Sequence, residues 1–116
     1  MQQQTFWQDD IFVVKLSGKM MGGMGTAGFH DDVKLAASEG CRRVAIDMEE
    51  VDWLNSWGVG LLVSAFTTLR NCGGQMILAG CGPKVMAVLR MTHFDSVFVF
   101  ENDVNAALQT LAAPSD

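Results

Sequence analysis

The residues best placed to carry chemistry are a serine and two glycines in the stretch Asn55-Ser56-Trp57-Gly58-Val59-Gly60. Ser56 follows an apolar strand by a short loop and opens a segment, Trp57 to Leu69, that the pattern predicts to be a buried helix. Exposed N–H groups and the positive end of a helix dipole favour an anion at such a position. A phosphate on the hydroxyl would bring roughly −1.5 to −2 charges. Ser56 is therefore a candidate phosphoacceptor, and a plain helix cap is the alternative that position alone leaves open.

Patterns for other chemistry are weak in this chain. Ser56 is not a nucleophile elbow, because Leu54 stands where Gly-x-Ser-x-Gly requires glycine. His30 and His93 have no motif spacing to the serine. The acidic stretch from Asp47 to Asp52 could hold a cation, but a solvated rim is the simpler interpretation. We therefore predict a protein that is not an enzyme, with no catalytic residue, no metal site and no cofactor.

Composition narrows the class of protein. The 116 residues fit one domain, and 8 basic against 13 acidic residues give a net charge of -5, which argues against a nucleic-acid partner. No apolar run is long enough to predict membrane insertion, and the polar start from Met1 to Gln4 is unlike a signal peptide. The three cysteines, Cys41, Cys72 and Cys81, lack paired spacing and indicate free thiols. A cytoplasmic location is expected, and the sequence leaves the oligomeric state open.

Strands and helices alternate along the chain in the order β-β-α-β-α-β-α-β-α, which predicts a mostly parallel sheet of four to five strands behind an N-terminal antiparallel hairpin. The hairpin turns at Asp9-Asp10, Gly18 ends its second strand, and a glycine-rich loop follows from Lys19 to Gly25. The remaining predicted strands are Arg43–Met48, Gln75–Ala79 and Val97–Phe100. The predicted helices run from Thr26 to about Ser38, from a cap at Asn55 or Ser56, from Pro83 to about Met91, and from a cap at Asn102 or Asp103. The tail from Ala112 to Asp116 is expected to fray.

The stretch from Ala45 to Leu62, AIDMEEVDWLNSWGVGLL, resembles the signature of the STAS-type anti-sigma factor antagonists. In that family a strand ending in Asp-Leu is followed by a short loop and then Asp-Ser-Ser-Gly-Leu-Gly. The segments Gly73–Leu78, Pro83–Arg90 and Phe94–Phe98 fit the family as well. The resemblance implies an α/β fold with a single STAS-like domain over residues 1–116, a core from about 5 to 111, and helices packed mainly on one face of the sheet.

The resemblance also implies a function by partner switching. Unphosphorylated family members bind an anti-sigma factor that is also a serine protein kinase; this kinase phosphorylates the first serine of the motif, and a serine phosphatase restores binding. That serine corresponds to Ser56. The residues expected to bind the partner are Lys19, Met20, Met21, Gly22, Asn55, Ser56, Trp57, Gly58 and Val59.

The chain departs from the family pattern at three places. Asn55 replaces the aspartate before the serine, Trp57 replaces the second serine, and Met20-Met21 replace a Leu-Asp pair. Trp57 could extend the partner contact or fold back onto the core. The alternative function is therefore a non-switching STAS module that acts as a scaffold in a larger signalling or transport-associated complex.

Overall fold

The computed structural model describes residues 2–21 and 27–112, apart from the side chain of Ala27. The elements are β1 (Gln2–Gln8), β2 (Ile11–Met20), α1 (Ala27–Ser38), β3 (Arg43–Leu54), α2 (Ser56–Asn71), β4 (Gln75–Ala79), α3 (Pro83–Met91), β5 (Val99–Glu101) and α4 (Val104–Ala112). This order confirms the predicted alternation. The predicted helix start at Thr26, the loop glycines from Gly22 to Gly25 and the predicted fraying over 113–116 lie outside the described residues.

The five strands form one sheet in chain order, β1-β2-β3-β4-β5. β1 and β2 pair antiparallel across the turn at Asp9-Asp10, and the other neighbours pair parallel. Asp9 occupies the left-handed region with φ 56°, a conformation that aspartate adopts more readily than most residues. The predicted hairpin and parallel sheet are both confirmed.

Both faces of the sheet are covered, but unequally. α1, α2 and α3 pack on one face over the larger hydrophobic cluster, to which β2 contributes Phe12, Val14 and Leu16. α4 alone packs on the other face, where Ala107 and Leu111 cover a smaller cluster. The central strands are therefore buried on both sides, as expected for parallel strands in an α/β fold. This arrangement agrees with the expectation that the helices lie mainly on one face.

Two strands run further than the sequence predicts. β2 continues through Gly18 to Met20, and β3 continues from Met48 to Leu54, where loops were expected. The added residues pair with each other, since Met20 lies opposite Leu54. The ladder has two register shifts, one between Lys15 and Ser17 and one between Gly18 and Lys19, and each places one extra residue on β3. Gly18 has a φ of 90° at the second shift. The predicted loop start at Lys19 is therefore wrong, because tertiary pairing extends both strands.

The other boundaries follow local signals more closely. β4 and α3 have the predicted bounds, and Pro83 begins α3 as expected. α4 is capped by Asp103, whose Oδ1 accepts a hydrogen bond from the N–H of Ala106 at 2.8 Å. β5 begins two residues later than predicted, at Val99, because only its last part pairs with β4.

Candidate binding surface at the start of helix α2

The start of α2 is seated directly on the end of β2. Gly58 in the first turn of the helix is buried, and a Cβ at this position would lie 2.3 Å from the main-chain oxygen of Met20 and 2.6 Å from Cδ1 of Leu54. Only glycine allows this approach without a shift of the main chain. Gly60, by contrast, is exposed and its Cβ would meet nothing within 4 Å. The first glycine of the motif thus fixes the position of the helix, and the second leaves its surface open.

Asn55 caps α2 and links it to the end of β2. Its φ of −112° and ψ of −176° are extended, and its Oδ1 accepts a hydrogen bond from the N–H of Gly58 at 3.1 Å. Its side-chain Nδ2 donates to the main-chain oxygen of Met21 at 3.2 Å, and its main-chain N–H donates to that of Met20 at 3.3 Å. The sequence left the cap open between Asn55 and Ser56, and the structure assigns it to Asn55.

Ser56 is the first residue of α2, and its side chain is exposed. Because Asn55 makes the capping bond, the hydroxyl of Ser56 is not required for that purpose. The next residue, Trp57, is 65% exposed, so the alternative in which it folds back onto the core is excluded. An accessible hydroxyl thus lies beside a large exposed ring at the positive end of a helix dipole.

The predicted partner-binding residues divide into an outer and an inner group. Lys19, Met21, Ser56 and Trp57 are exposed, and Asn55 is half-buried. Met20, Gly58 and Val59 are buried: Met20 is 0% exposed and Val59 is 3% exposed, because both side chains belong to the larger cluster. These three residues support the surface from below and cannot offer their side chains to a partner. Gly22 lies outside the described residues.

An open depression of about 460 Å³ extends the exposed group toward α3. It is lined by Lys19, Met21, Asp52, Trp53 and Lys84. Trp53 is 46% exposed and Met21 is 45% exposed, so the depression combines apolar surface with two lysine side chains. The sequence prediction missed Trp53 and Lys84 as parts of the surface. Strand alternation gives no signal for Trp53, because Asp52 and Trp53 both face solvent between the buried Val51 and Leu54, at the second register shift of β3.

The acidic stretch is distributed over different environments and does not converge. Asp47 is 7% exposed, and its Oδ1 accepts a hydrogen bond from the N–H of Glu49 at 3.1 Å, which supports the first register shift of β3. Glu50 forms an ion pair with Lys15 at 3.3 Å.

Within residues 2–21 and 27–112, no group of three or more His, Cys, Asp and Glu side chains is placed to hold a metal ion. In the same ranges no helix has the length and apolar character needed to cross a membrane.

The three cysteines are unpaired thiols within the described part of the chain. Cys41 is buried, while Cys72 and Cys81 are partly buried. Burial raises the pKa of Cys81 from 9.0 to about 12, so this thiol is protonated at neutral pH. It is therefore a poor nucleophile, consistent with a packing role.

Comparison with known proteins shows which family this chain is similar to. The family model described as STAS domain matches residues 4–107. BtrV of Bordetella bronchiseptica, named as a candidate anti-sigma factor antagonist, is 31% identical over 78 residues, which cover 66% of this chain and 67% of the relative.

Two solved structures share the fold at lower identity. The structure of an anti-sigma factor antagonist from Mycobacterium paratuberculosis has a TM-score of 0.81 at 21% identity and covers 97% of this chain and 94% of its own. The structure of the Bacillus cell fate determinant SpoIIAA in its phosphorylated form has a TM-score of 0.73 at 17% identity. The match covers 94% of this chain and 99% of the SpoIIAA chain. The family model over residues 4–107 and the 31% identity to BtrV show that the chain belongs to the STAS domain family of anti-sigma factor antagonists.

Proposed function

We propose that the protein is the phosphorylatable partner in a cytoplasmic switch. In the unphosphorylated form, the surface around Ser56 binds an anti-sigma factor that is also a serine protein kinase. Transfer of the γ-phosphate of ATP to the hydroxyl of Ser56 forms a phosphoserine and releases ADP, and the complex dissociates. A serine phosphatase returns the protein to its binding form by hydrolysis of the phosphoester. The protein is thus a ligand and a substrate, and not itself an enzyme.

The observation that carries the proposal is the exposed hydroxyl of Ser56 at the first position of a helix that another residue caps. A kinase can reach this oxygen without unfolding the helix. The added phosphate would lie at the positive end of the dipole, where a dianion stabilises the helix terminus. The family relative SpoIIAA is known in a phosphorylated form, which supports the same chemistry here.

The neighbourhood of Ser56 has the properties of a docking surface. Trp57, Trp53 and Met21 expose large apolar side chains, and tryptophan is among the residues that most often dominate binding energy. Lys19, Lys84 and Asp52 line the depression beside these side chains, so charged groups of both signs border the apolar surface. A phosphate at Ser56 would place a dianion at the edge of the contact. Acidic groups of the partner would repel it, and apolar surface of the partner would remove its water, so either contact would weaken the complex.

Phosphate transfer by the cognate kinase tests the site. The chain is incubated with the anti-sigma kinase and ATP, and its mass is measured. We expect one added phosphate, which Ser56→Ala abolishes and the matched control Ser96→Ala, at another exposed serine, retains. Incorporation that persists in Ser56→Ala would contradict the site. In a binding assay with the kinase, Ser56→Asp is expected to weaken the complex by at least ten-fold (about 1.4 kcal/mol).

The alternative is a non-switching scaffold module that uses the same surface. The exposure of Trp57 favours it, because a bulky ring beside the serine narrows the approach of a kinase. Under this alternative Ser56→Asp leaves partner affinity unchanged while Trp57→Ala lowers it. Trp57→Ala is expected to lower affinity under both functions and shows that this surface is used, whereas Ser56→Asp separates them.

A further inference from the structure

The sheet has two edges, and they are built very differently. β5 is only three residues long and ends in Glu101, and both a short length and a charge are common ways to blunt an edge strand. β1 is seven residues long, with the sequence Gln-Gln-Gln-Thr-Phe-Trp-Gln, and six of its residues are exposed. It contains no charged residue and no proline, and no register shift interrupts its ladder with β2. Within the part of the chain that the structure describes, β1 therefore lacks the short length, the charge, the proline and the bulge that commonly prevent a strand from pairing with another chain.

The hairpin determines which main-chain groups of β1 are available. Gln8 and Ile11 pair across a two-residue turn, and the pair that closes such a turn exchanges both main-chain hydrogen bonds. Bonded pairs alternate along an antiparallel ladder, so the even-numbered residues of β1 bond to β2. Gln3, Thr5 and Trp7 consequently direct their N–H and C=O groups outward, away from the sheet.

Apolar side chains flank this open edge on both faces. Trp7 is 51% exposed and packs on Phe12 with ring centroids 5.0 Å apart, on the face that carries α1. Phe6 is 46% exposed and lies opposite Val13, whose side chain belongs to the α4 face. On α1, the stripe that begins at Gly28 and Asp32, both next to Gln3, continues to Leu35, which is 58% exposed.

We propose that the β1 edge is a homodimer interface, in which β1 of a second copy pairs antiparallel with it about a two-fold axis at Thr5. In this register Thr5 lies opposite Thr5 of the second copy, and Gln3 lies opposite Trp7. All of these residues direct their main-chain groups outward, so the pairing forms about six hydrogen bonds and leaves none of the outward groups of Gln3, Thr5 and Trp7 unused.

A second copy is the occupant that the register favours. A two-fold axis at Thr5 brings each outward residue of one strand opposite an outward residue of the other, so the contact is isologous and both edges are satisfied at once. The uncharged edge also avoids like charges opposite each other, the main obstacle when an acidic chain of net charge -5 pairs with itself. The result is a continuous sheet of two five-stranded halves.

The dimer has a consequence for binding. An axis through Thr5 reverses the strand direction between the copies, so the two Ser56 surfaces, each beyond the carboxyl end of β3, lie at opposite ends of the joint sheet. Both surfaces stay accessible, and the dimer can bind two partners at once. A strand-edge contact buries little surface, so we expect a weak, transient dimer whose population depends on protein concentration.

Sedimentation velocity on the full chain tests the proposal over a range of concentration. We expect the mass to rise from the 12.6 kDa of one chain toward twice that value. The concentration range extends to about 1 mM, because a weak dimer can have a dissociation constant of that size. A single 12.6 kDa species over this whole range would overturn the interface.

Charge variants at the axis test the register. Thr5→Lys and Thr5→Glu each place two like charges directly opposite, and each should weaken the dimer by about five-fold relative to the matched control Thr5→Val. An equal mixture of the two charged variants should restore association, as a heterodimer. Equal dimerisation of the charged variants and the control, or a mixture that does not recover, would refute the register. Thermal unfolding of each variant shows whether the monomer fold is intact, and phosphate transfer to Ser56 is unaffected by these changes, so the two proposals are tested separately.

Discussion

Replacement of Gly58 by alanine should weaken the fold, although alanine is the better helix former. The new Cβ would lie 2.3 Å from the oxygen of Met20, where ordinary contact begins near 3.4 Å, so the end of β2 must retreat by about 1 Å. That movement strains the hydrogen bond from the N–H of Asn55 to the same oxygen, which is 3.3 Å long. The strain arises between the new Cβ, whose position is fixed by the helix main chain, and a main-chain oxygen, so no side-chain rotation can relieve it.

The magnitude follows from three terms, two that destabilise the fold and one that stabilises it. Overpacking of this kind costs about 1–3 kcal/mol, and loss of the hydrogen bond adds about 1 kcal/mol. The higher helix propensity of alanine returns about 1 kcal/mol. We therefore expect Gly58→Ala to lower the free energy of unfolding by about 1–3 kcal/mol. Gly60→Ala is the matched control: it sits in the same helix with open space around it and should raise the free energy of unfolding by about 0.5–1 kcal/mol.

Urea denaturation followed by circular dichroism measures both variants. The midpoint of Gly58→Ala should fall and that of Gly60→Ala should rise, with unchanged slopes, since neither change alters the surface exposed on unfolding. A midpoint of Gly58→Ala at or above the wild-type value would refute the reasoning, because it would mean that the end of β2 yields freely to α2.

Other variants probe single contacts by the same unfolding measurement. Asn55→Ala removes the cap and should cost about 1–2 kcal/mol, whereas Ser56→Ala should change stability by less than about 0.5 kcal/mol; equal losses would contradict the assignment of the cap. His93, just beyond the end of α3, has a φ of 64°, so His93→Gly should raise stability by up to about 1 kcal/mol, and a loss would show that its side chain is needed. Burial raises the pKa of the Cys81 thiol from 9.0 to about 12. Above pH 9 the unfolded thiol therefore ionises while the folded one does not, and wild-type stability should fall between pH 9 and 12 relative to Cys81→Ala; parallel pH profiles would contradict this.

The elements that the sequence predicts well are those whose ends are determined locally. β4 ends where glycine interrupts an apolar run, and α3 begins at a proline, so both have the predicted bounds. The sequence predicts a shorter β2 and a shorter β3, because Gly18 and the acidic residues after Met48 resemble strand ends. What extends them is the pairing of Met20 with Leu54 beyond two register shifts, a contact between residues distant in sequence.

The sequence predicts where the candidate site lies along the chain, but not which of its side chains are exposed. The motif located the strand-to-helix junction and the exposed serine, because its residue types match a recognisable local geometry. Sequence alone does not separate side chains that face out from those that face in. Met20 and Val59, which the sequence predicts to bind the partner, are buried, whereas Trp53, which lies outside that predicted set, is exposed. Which way a side chain faces beyond a β-bulge depends on the register, and the register becomes visible only in the folded sheet.

Asn55 and Ser56 divide two tasks that a single serine cap would have to combine. If the hydroxyl of Ser56 held the N–H of Gly58, a phosphate on that oxygen would compete with the cap and weaken the start of the helix. Since Asn55 holds that N–H, the phosphate can be added and removed while the cap, the contact to Met21 and the position of α2 stay in place. The proposed switch therefore acts through the charge that a partner meets, and not through local unfolding. The neutral side chain of Asn55 strengthens this arrangement, because an aspartate there would repel the dianion on the neighbouring residue.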